Sequence, residues 1–190
     1  MSALLDFVLT LDRLKSVDRR NSVAGGARFE NTAEHSWHAA TMALVLREAC
    51  AFPVDAHRAS RMLLLHDVPE IECGDTFLYD AARADASQSE ALALDRLLTG
   101  LPADAAAEMK ALWHEFTDAV TPEARYAYAI DRLMPVLLNI ANDGDVWRRH
   151  GVSRDRVLAM NQPVAEVFPS LWPMVRARIE AIFDRIDGGA

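Results

Sequence analysis

Apolar residues recur every three to four positions along most of the 190-residue chain, and strand-like alternation over more than four residues is hard to find. The pattern predicts helices. The first covers about 2–15. A polar connector, "SVDRRNSVAGGARFEN", follows, and its Gly25-Gly26 pair predicts a turn or flexible loop. The next helix starts near Thr32, where Asn31 or Thr32 serves as cap and Asn31 with Glu34 has capping-box spacing. It runs on through "HSWHAATMALVLREA", with Trp37 read as core. A third helix, "VDAHRASRMLLLHDV", has Asp55 as its cap and Pro69 just beyond its end. Positions 71–85 read as a loop or short turn. Further helices are expected at about 86–99, with Gly100 as C-cap, and at about 103–118. Another starts at Pro122 after a Thr121 cap and carries Asp131, with Pro135 as a point of kinking. Two more, at about 153–166 and 169–186, follow. The fold class is all-α, and with no linker or repeat, residues 1–190 read as one domain.

Composition narrows the picture. Half the residues are hydrophobic (51%), enough for one sizeable core and against disorder. No run of eighteen apolar residues appears, so no membrane span is expected. The opening segment carries Asp6 and Asp12 and lacks a basic start, so it reads as an amphipathic helix and not as a signal peptide. Two cysteines are too few for a disulfide framework, and the expectation is a reduced, cytoplasmic setting. The formal charge of −8 argues against a nonspecific nucleic-acid surface, while leaving room for a local basic pocket that holds a phosphate.

The candidate chemistry sits where the apolar run "RMLLL" ends in His66-Asp67. Two ionisable groups at the end of a buried helix are costly unless they are paired or bind a metal. His35, near the start of its helix, and Asp131 also lie on elements with a strongly apolar face. Helical bundles build metal sites from such inward-facing ligands. Two imidazoles and two carboxylates suit one octahedral divalent ion, Mn²⁺, Co²⁺, Fe²⁺ or Mg²⁺, better than a closed zinc site. His38, His57, His114 and His150 read as structural or surface residues, Glu72 and Asp80 as solvated loop carboxylates, and Asp131-Arg132 taken alone as half of a surface ion pair.

The fragments "NTAEHSWHAA", "LLLHDVPEIECGDT" and "YAIDRL", in this order, resemble the HD-domain metal-dependent phosphohydrolases. They are most similar to the 5′-deoxynucleotidase-like branch, whose second motif reads HDxxE followed closely by GD; here that is His66, Asp67, Glu70, Gly74 and Asp75. The resemblance implies a single HD-domain helical bundle in which His35, His66, Asp67 and Asp131 hold one divalent ion. It implies proton transfer by Glu70, ionised beside the cation, and contact of Asp75 with the sugar hydroxyl. It implies a phosphate-binding arginine in the connector. An ungapped count from the motif histidine selects Arg20; Arg19 is one step away, and Arg28 lies in the same segment. The tryptophan that follows this arginine in the better-known deoxynucleotidases is Asn21 here, which leaves preference for deoxyribose open.

The implied activity is hydrolysis of (deoxy)nucleoside 5′-monophosphates to nucleoside and phosphate, with a small nucleotide as the partner and no membrane or nucleic acid. Three alternatives stand beside it. One is a triphosphohydrolase, which needs extra basic residues such as Arg28 or Arg83 near the mouth. Another is a non-catalytic HD module. The last is a two-iron oxygenase, for which His38 is the one nearby spare histidine. Related proteins commonly pair, and a homodimer is expected.

Overall fold

The capping box expected at Asn31 is formed. Its side chain accepts from the Glu34 amide, and the Glu34 carboxylate accepts from the Asn31 amide. Two donors left open by the first helical turn are satisfied in this way. Asp55 caps the next helix through the amides of His57 and Arg58, and Thr121 caps another through Ala124. The structure is a computed structural model that describes residues 2–80 and 83–188, with the side chains of all of these apart from 2 and 83–86.

In chain order the elements are α1 (Ser2–Leu11), β1 (Asp18–Ser22), β2 (Phe29–Asn31), α2 (Thr32–Val45), α3 (Ala56–Leu65), α4 (Glu70–Cys73), α5 (Arg83–Leu97), α6 (Ala103–Asp118) and α7 (Pro122–Ala141), followed by α8 (Asp145–Arg149), α9 (Arg154–Met160), α10 (Gln162–Val167) and α11 (Trp172–Gly188). The all-α expectation holds, with one small addition. The polar connector is an antiparallel hairpin whose turn contains Gly25 and Gly26, both at positive φ. Its register pairs Asp18 with Asn31 and Ser22 with Phe29. Three residues of β1 therefore face the single residue Glu30. Such a bulge re-aims side chains.

Other boundaries moved for local reasons. The first helix tightens into a 3₁₀ turn over Asp12–Ser16. The segment expected as a loop contains α4, and α5 begins at Arg83. The helix expected at 153–166 divides into α9 and α10. Pro163 offers no N–H to continue it, and the Asn161 side chain donates to the Val157 carbonyl instead (2.8 Å).

α2 packs on α3, and both pack on α7, with α6 against α3 and α7. Ala39, Ala43, Ala59 and Ala127 are fully buried where these helices meet, and such small side chains permit a close approach. Met62, Leu63, Tyr126 and Ile130 fill the remaining space. Each such side chain stabilises the fold by about 1.5–3 kcal/mol. The Tyr126 hydroxyl donates to the Ala43 carbonyl (2.7 Å) and Ser60 Oγ donates to the Ala40 carbonyl (2.9 Å), tying the helices in register. Trp37, expected in the core, is 65% exposed. The buried face of α2 runs through His35, Ser36, Ala39, Ala40 and Ala43, and Trp37 lies off it. Among the described residues no helix is long and apolar enough to cross a membrane.

Candidate metal centre and its cavity

His35 projects from the first turn of α2, His66 caps the C-terminus of α3, and Asp131 sits midway along α7. Their ligand atoms lie within 4.8 Å of one another. His35 Nε2 is 3.0 Å from Asp131 Oδ1 and 3.7 Å from Asp67 Oδ2. His66 Nε2 is 3.1 Å from Asp67 Oδ2 and 3.4 Å from Asp131 Oδ1, yet it is buried without a hydrogen bond of good geometry. The four residues singled out in sequence thus converge. A buried imidazole nitrogen facing two carboxylates, with no partner of its own, fits a divalent cation. So does the N₂O₂ donor set.

The surroundings orient these donors. His66 Nδ1 lies 2.8 Å from the Leu63 carbonyl, which fixes the tautomer that leaves Nε2 free to ligate. Trp113 Nε1 donates to the His66 carbonyl (3.0 Å) and steadies the helix end. Behind His35 stands Glu30, 3% exposed, with Oε2 3.7 Å from Nδ1. Pro135 lies one turn after Asp131 in α7 and lacks the N–H that would bond the Asp131 carbonyl.

Electrostatics follow from this crowding. Burial pulls the His66 imidazole toward neutrality, but Asp67 and Asp131 more than offset it, raising its pKa to about 10. Burial likewise opposes ionisation of Asp67 and Asp131, yet His66 with Arg19 in one case, and the two histidines in the other, hold both well below the usual carboxylate range. Glu70 behaves differently. Burial, reinforced by Asp67, lifts its carboxyl well above the ordinary value, against the opposing pull of Arg19. With the protein's own groups alone Glu70 is therefore a stronger base than a solvated carboxylate. Its Oε2 accepts a hydrogen bond from Thr32 Oγ1 (2.8 Å).

Of the connector arginines, Arg19 reaches the centre. Its Nη1 donates to Asp67 Oδ2 (2.7 Å), with Asp75 Oδ1 at 3.3 Å and Glu70 Oε1 at 3.8 Å. Asp75 is turned toward Arg19 by Gly74, whose φ of +74° is strained for any other residue. Arg20, next along the bulged strand, is exposed and touches only the rim of a smaller adjoining recess. Asn21 is buried and accepts from Asn139 Nδ2 (3.0 Å). The structure does not bring Arg28 to the centre: it is exposed and paired with Glu34. The side chain of Arg83 lies outside the described residues. His57, His114 and His150 are exposed, and Glu72 pairs with Arg96 at the surface, as expected of bystanders.

The centre opens into a cavity of about 200 Å³. Its wall includes Arg19, Asp67, Glu70, Asp75 and Asp131 and continues to Phe116, Tyr128 and Arg132. Glu30 and Arg132 were not anticipated from sequence. Arg132, read as half of a surface ion pair, is 4% exposed and faces this cavity. Its place next to the candidate ligand Asp131 on an amphipathic helix is the local signal it offered.

Fold and site together define a helical bundle around an internal cluster of His35, His66 and Asp131 that could hold a metal ion. The HD domain family model matches residues 11–172, and the chain belongs to the HD-domain family of metal-dependent phosphohydrolases. A crystal structure from Magnetospirillum magnetotacticum MS-1, described as a predicted metal-dependent phosphohydrolase, superposes with a TM-score of 0.90 at 41% identity, covering 97% of this chain and 93% of that one. The chain is also similar to the 5′-deoxynucleotidase HDDC2 of Bos taurus, 29% identical over 70% of this chain and 65% of the relative, and to that of Homo sapiens, 27% identical over 71% and 66%. It thus spans about two thirds of the length of these curated relatives.

Proposed function

We propose that this protein hydrolyses (deoxy)nucleoside 5′-monophosphates to nucleoside and inorganic phosphate, using one divalent ion held by His35, His66, Asp67 and Asp131. The observation that carries the reading is the unpartnered His66 Nε2 facing Asp67 and Asp131, with Glu70 and Arg19 beside it in one cavity. The likeness to proteins named 5′-deoxynucleotidase supports the substrate class.

When bound, the ion (Mn²⁺, Co²⁺, Fe²⁺ or Mg²⁺) supplies Lewis-acid polarisation of the phosphoryl group and a more acidic water. The chain's own groups do the rest. Glu70, made more basic than a solvated carboxylate by burial, accepts a proton from the attacking water as the new O–P bond forms. The bond from phosphorus to the sugar oxygen breaks, and the same carboxyl returns a proton to that oxygen. The Thr32 hydroxyl occupies Oε2, while Oε1 lies 3.8 Å from Arg19 Nη1. Arg19 orients Asp67, and with Asp75 it forms the side of the cavity that adjoins the recess, where Asp75 is proposed to meet the sugar hydroxyl. Arg20 stands at the adjoining recess, exposed, and is proposed to meet the substrate only there. Arg28 is not part of the proposed site.

The test is product analysis with nucleoside 5′-mono- and 5′-triphosphates, each with Mn²⁺, Co²⁺ and Mg²⁺. Phosphate released from a monophosphate supports the proposal. Triphosphate released from a triphosphate, with monophosphates untouched, replaces it with the triphosphohydrolase reading. No release from any nucleotide by metal-loaded protein returns the site to a non-catalytic role.

A further inference from the structure

Arg132 is the second arginine of the cavity, and its circumstances differ from those of Arg19. The Arg19 guanidinium is engaged by Asp67 and Asp75, with Glu70 nearby, so its charge is neutralised from within the protein. Arg132 has one hydrogen bond, from Nη2 to the Tyr128 hydroxyl (2.6 Å), and its guanidinium carbon lies 4.6 Å from the centre of the Tyr128 ring. Tyr128 is four residues earlier on α7, so ring and hydroxyl together hold the guanidinium on the cavity side of the helix. Among the described residues no carboxylate forms an ion pair with Arg132. Its Nε is buried without a hydrogen-bond partner, as is that of Arg19, so the difference between the two lies in the ion pairs.

Arginine stays charged inside proteins. A guanidinium that is 4% exposed, unneutralised and short of one acceptor is costly to keep unless something else supplies the negative charge. Arg132 also lies in the wall common to the main cavity and the adjoining recess, together with Arg19, Asp75, Leu78 and Pro135. An oxyanion within the cavity would be in reach of the planar N–H fork, whose geometry matches two oxygens of a tetrahedral phosphate.

We infer that Arg132 is the phosphate-recognising residue of this site: its fork takes the oxygens of the phosphoryl group, while Arg19 serves as a positioning residue for Asp67 and Asp75. This rests on the phosphohydrolase reading for the identity of the anion and separates Arg132 from the metal ligand that precedes it. Selectivity for a dianionic phosphate monoester over a neutral sugar or base then comes from α7, not from the connector hairpin.

The probe is inorganic phosphate, titrated by calorimetry into the metal-loaded protein, because binding needs no turnover. Arg132→Gln is expected to weaken phosphate binding by about 10- to 100-fold, the effect of removing a charge-assisted hydrogen-bond pair. Metal affinity should stay at the wild-type value. Arg132→Lys keeps a cation in the same volume and guards against a folding defect in the glutamine variant; it is expected to recover part of the loss but not the fork. With a hydrolysed monophosphate, both variants should raise KM more than they lower kcat. Phosphate affinity in Arg132→Lys and Arg132→Gln equal to wild type overturns the inference, whether or not hydrolysis is found. Arg132-dependent phosphate binding without hydrolysis of any monoester upholds the inference and overturns the proposed reaction.

Discussion

His66 Nε2 and Asp67 Oδ2 lie 3.1 Å apart, from adjacent residues, with the nitrogen buried and unbonded. Neighbours in sequence on a continuing helix would point about 100° apart around its axis. Here they converge at the end of α3, where His66 still has helical backbone angles and the turn toward α4 follows. Substituting His66 or Asp67 by alanine is expected to lower divalent-metal affinity by at least 100-fold, on the order of the loss of one inner ligand, and to abolish hydrolysis. Metal content after dialysis and the turnover of the same sample check it. A variant that keeps stoichiometric metal with no activity would point away from a ligand role.

Protonation of His66 gives the centre a pH dependence. Its pKa is raised from 6.5 to about 10 in the folded protein. The protonated imidazole therefore stabilises the metal-free fold fully below about 6.5, and this contribution is lost as pH rises through about 10. Metal needs the neutral ring, so binding releases a proton and apparent affinity rises with pH across this window. Melting of chelator-treated and metal-loaded protein should diverge between these two pH values, with the loaded form gaining. A gap that is constant with pH would show that His66 does not titrate against the metal.

Glu70 is expected to act without holding the ion. Glu70→Gln keeps the size of the side chain and the bond from Thr32, and removes the base. Turnover should fall by about 10²- to 10⁴-fold while metal affinity stays within a few-fold of wild type. Full activity in Glu70→Gln would remove Glu70 from the proton path even with the metal centre intact.

Much of this was legible in the chain, and the exceptions have physical causes. α2, α3 and α7 announced themselves because apolar spacing and local caps, Asn31, Asp55 and Thr121, agree with one another. The candidate metal ligands stood out because ionisable residues on apolar faces are rare. The hairpin was hidden because β1, "DRRNS", is polar on both faces and five residues long. The bulge also decides between neighbours in β1, with Arg19 turned to the centre and Arg20 left exposed, which a count of residues does not show. Trp37 misled because the inner face of α2 is built from alanines, not large residues. Glu30 gains meaning only from His35, which packs on it and is not a local neighbour on the same element; the Tyr128 contact of Arg132 is local, at i, i+4, but the burial of the pair against the cavity is not visible in that spacing.

Glu30 carries the last prediction. Its carboxylate is buried, its Oε2 has no hydrogen bond, and it lies 3.7 Å from His35 Nδ1 on the side of the ring away from Asp131. At that distance the contact is electrostatic and not yet a hydrogen bond. A carboxylate behind a ligating imidazole fixes the ring's tautomer and raises its basicity. Ligation through Nε2 requires the proton on Nδ1, the atom that Glu30 faces. Glu30→Ala is therefore expected to weaken metal binding by about 10- to 100-fold, and Glu30→Gln, which keeps an acceptor but not the charge, by less. Metal titration of both variants, with the His35 ring proton followed by NMR, separates this from a packing defect. A packing defect would lower thermal stability in proportion to the volume lost and leave the tautomer unchanged. Equal metal affinity in wild type and Glu30→Ala would show that the α2 capping turn alone orients His35.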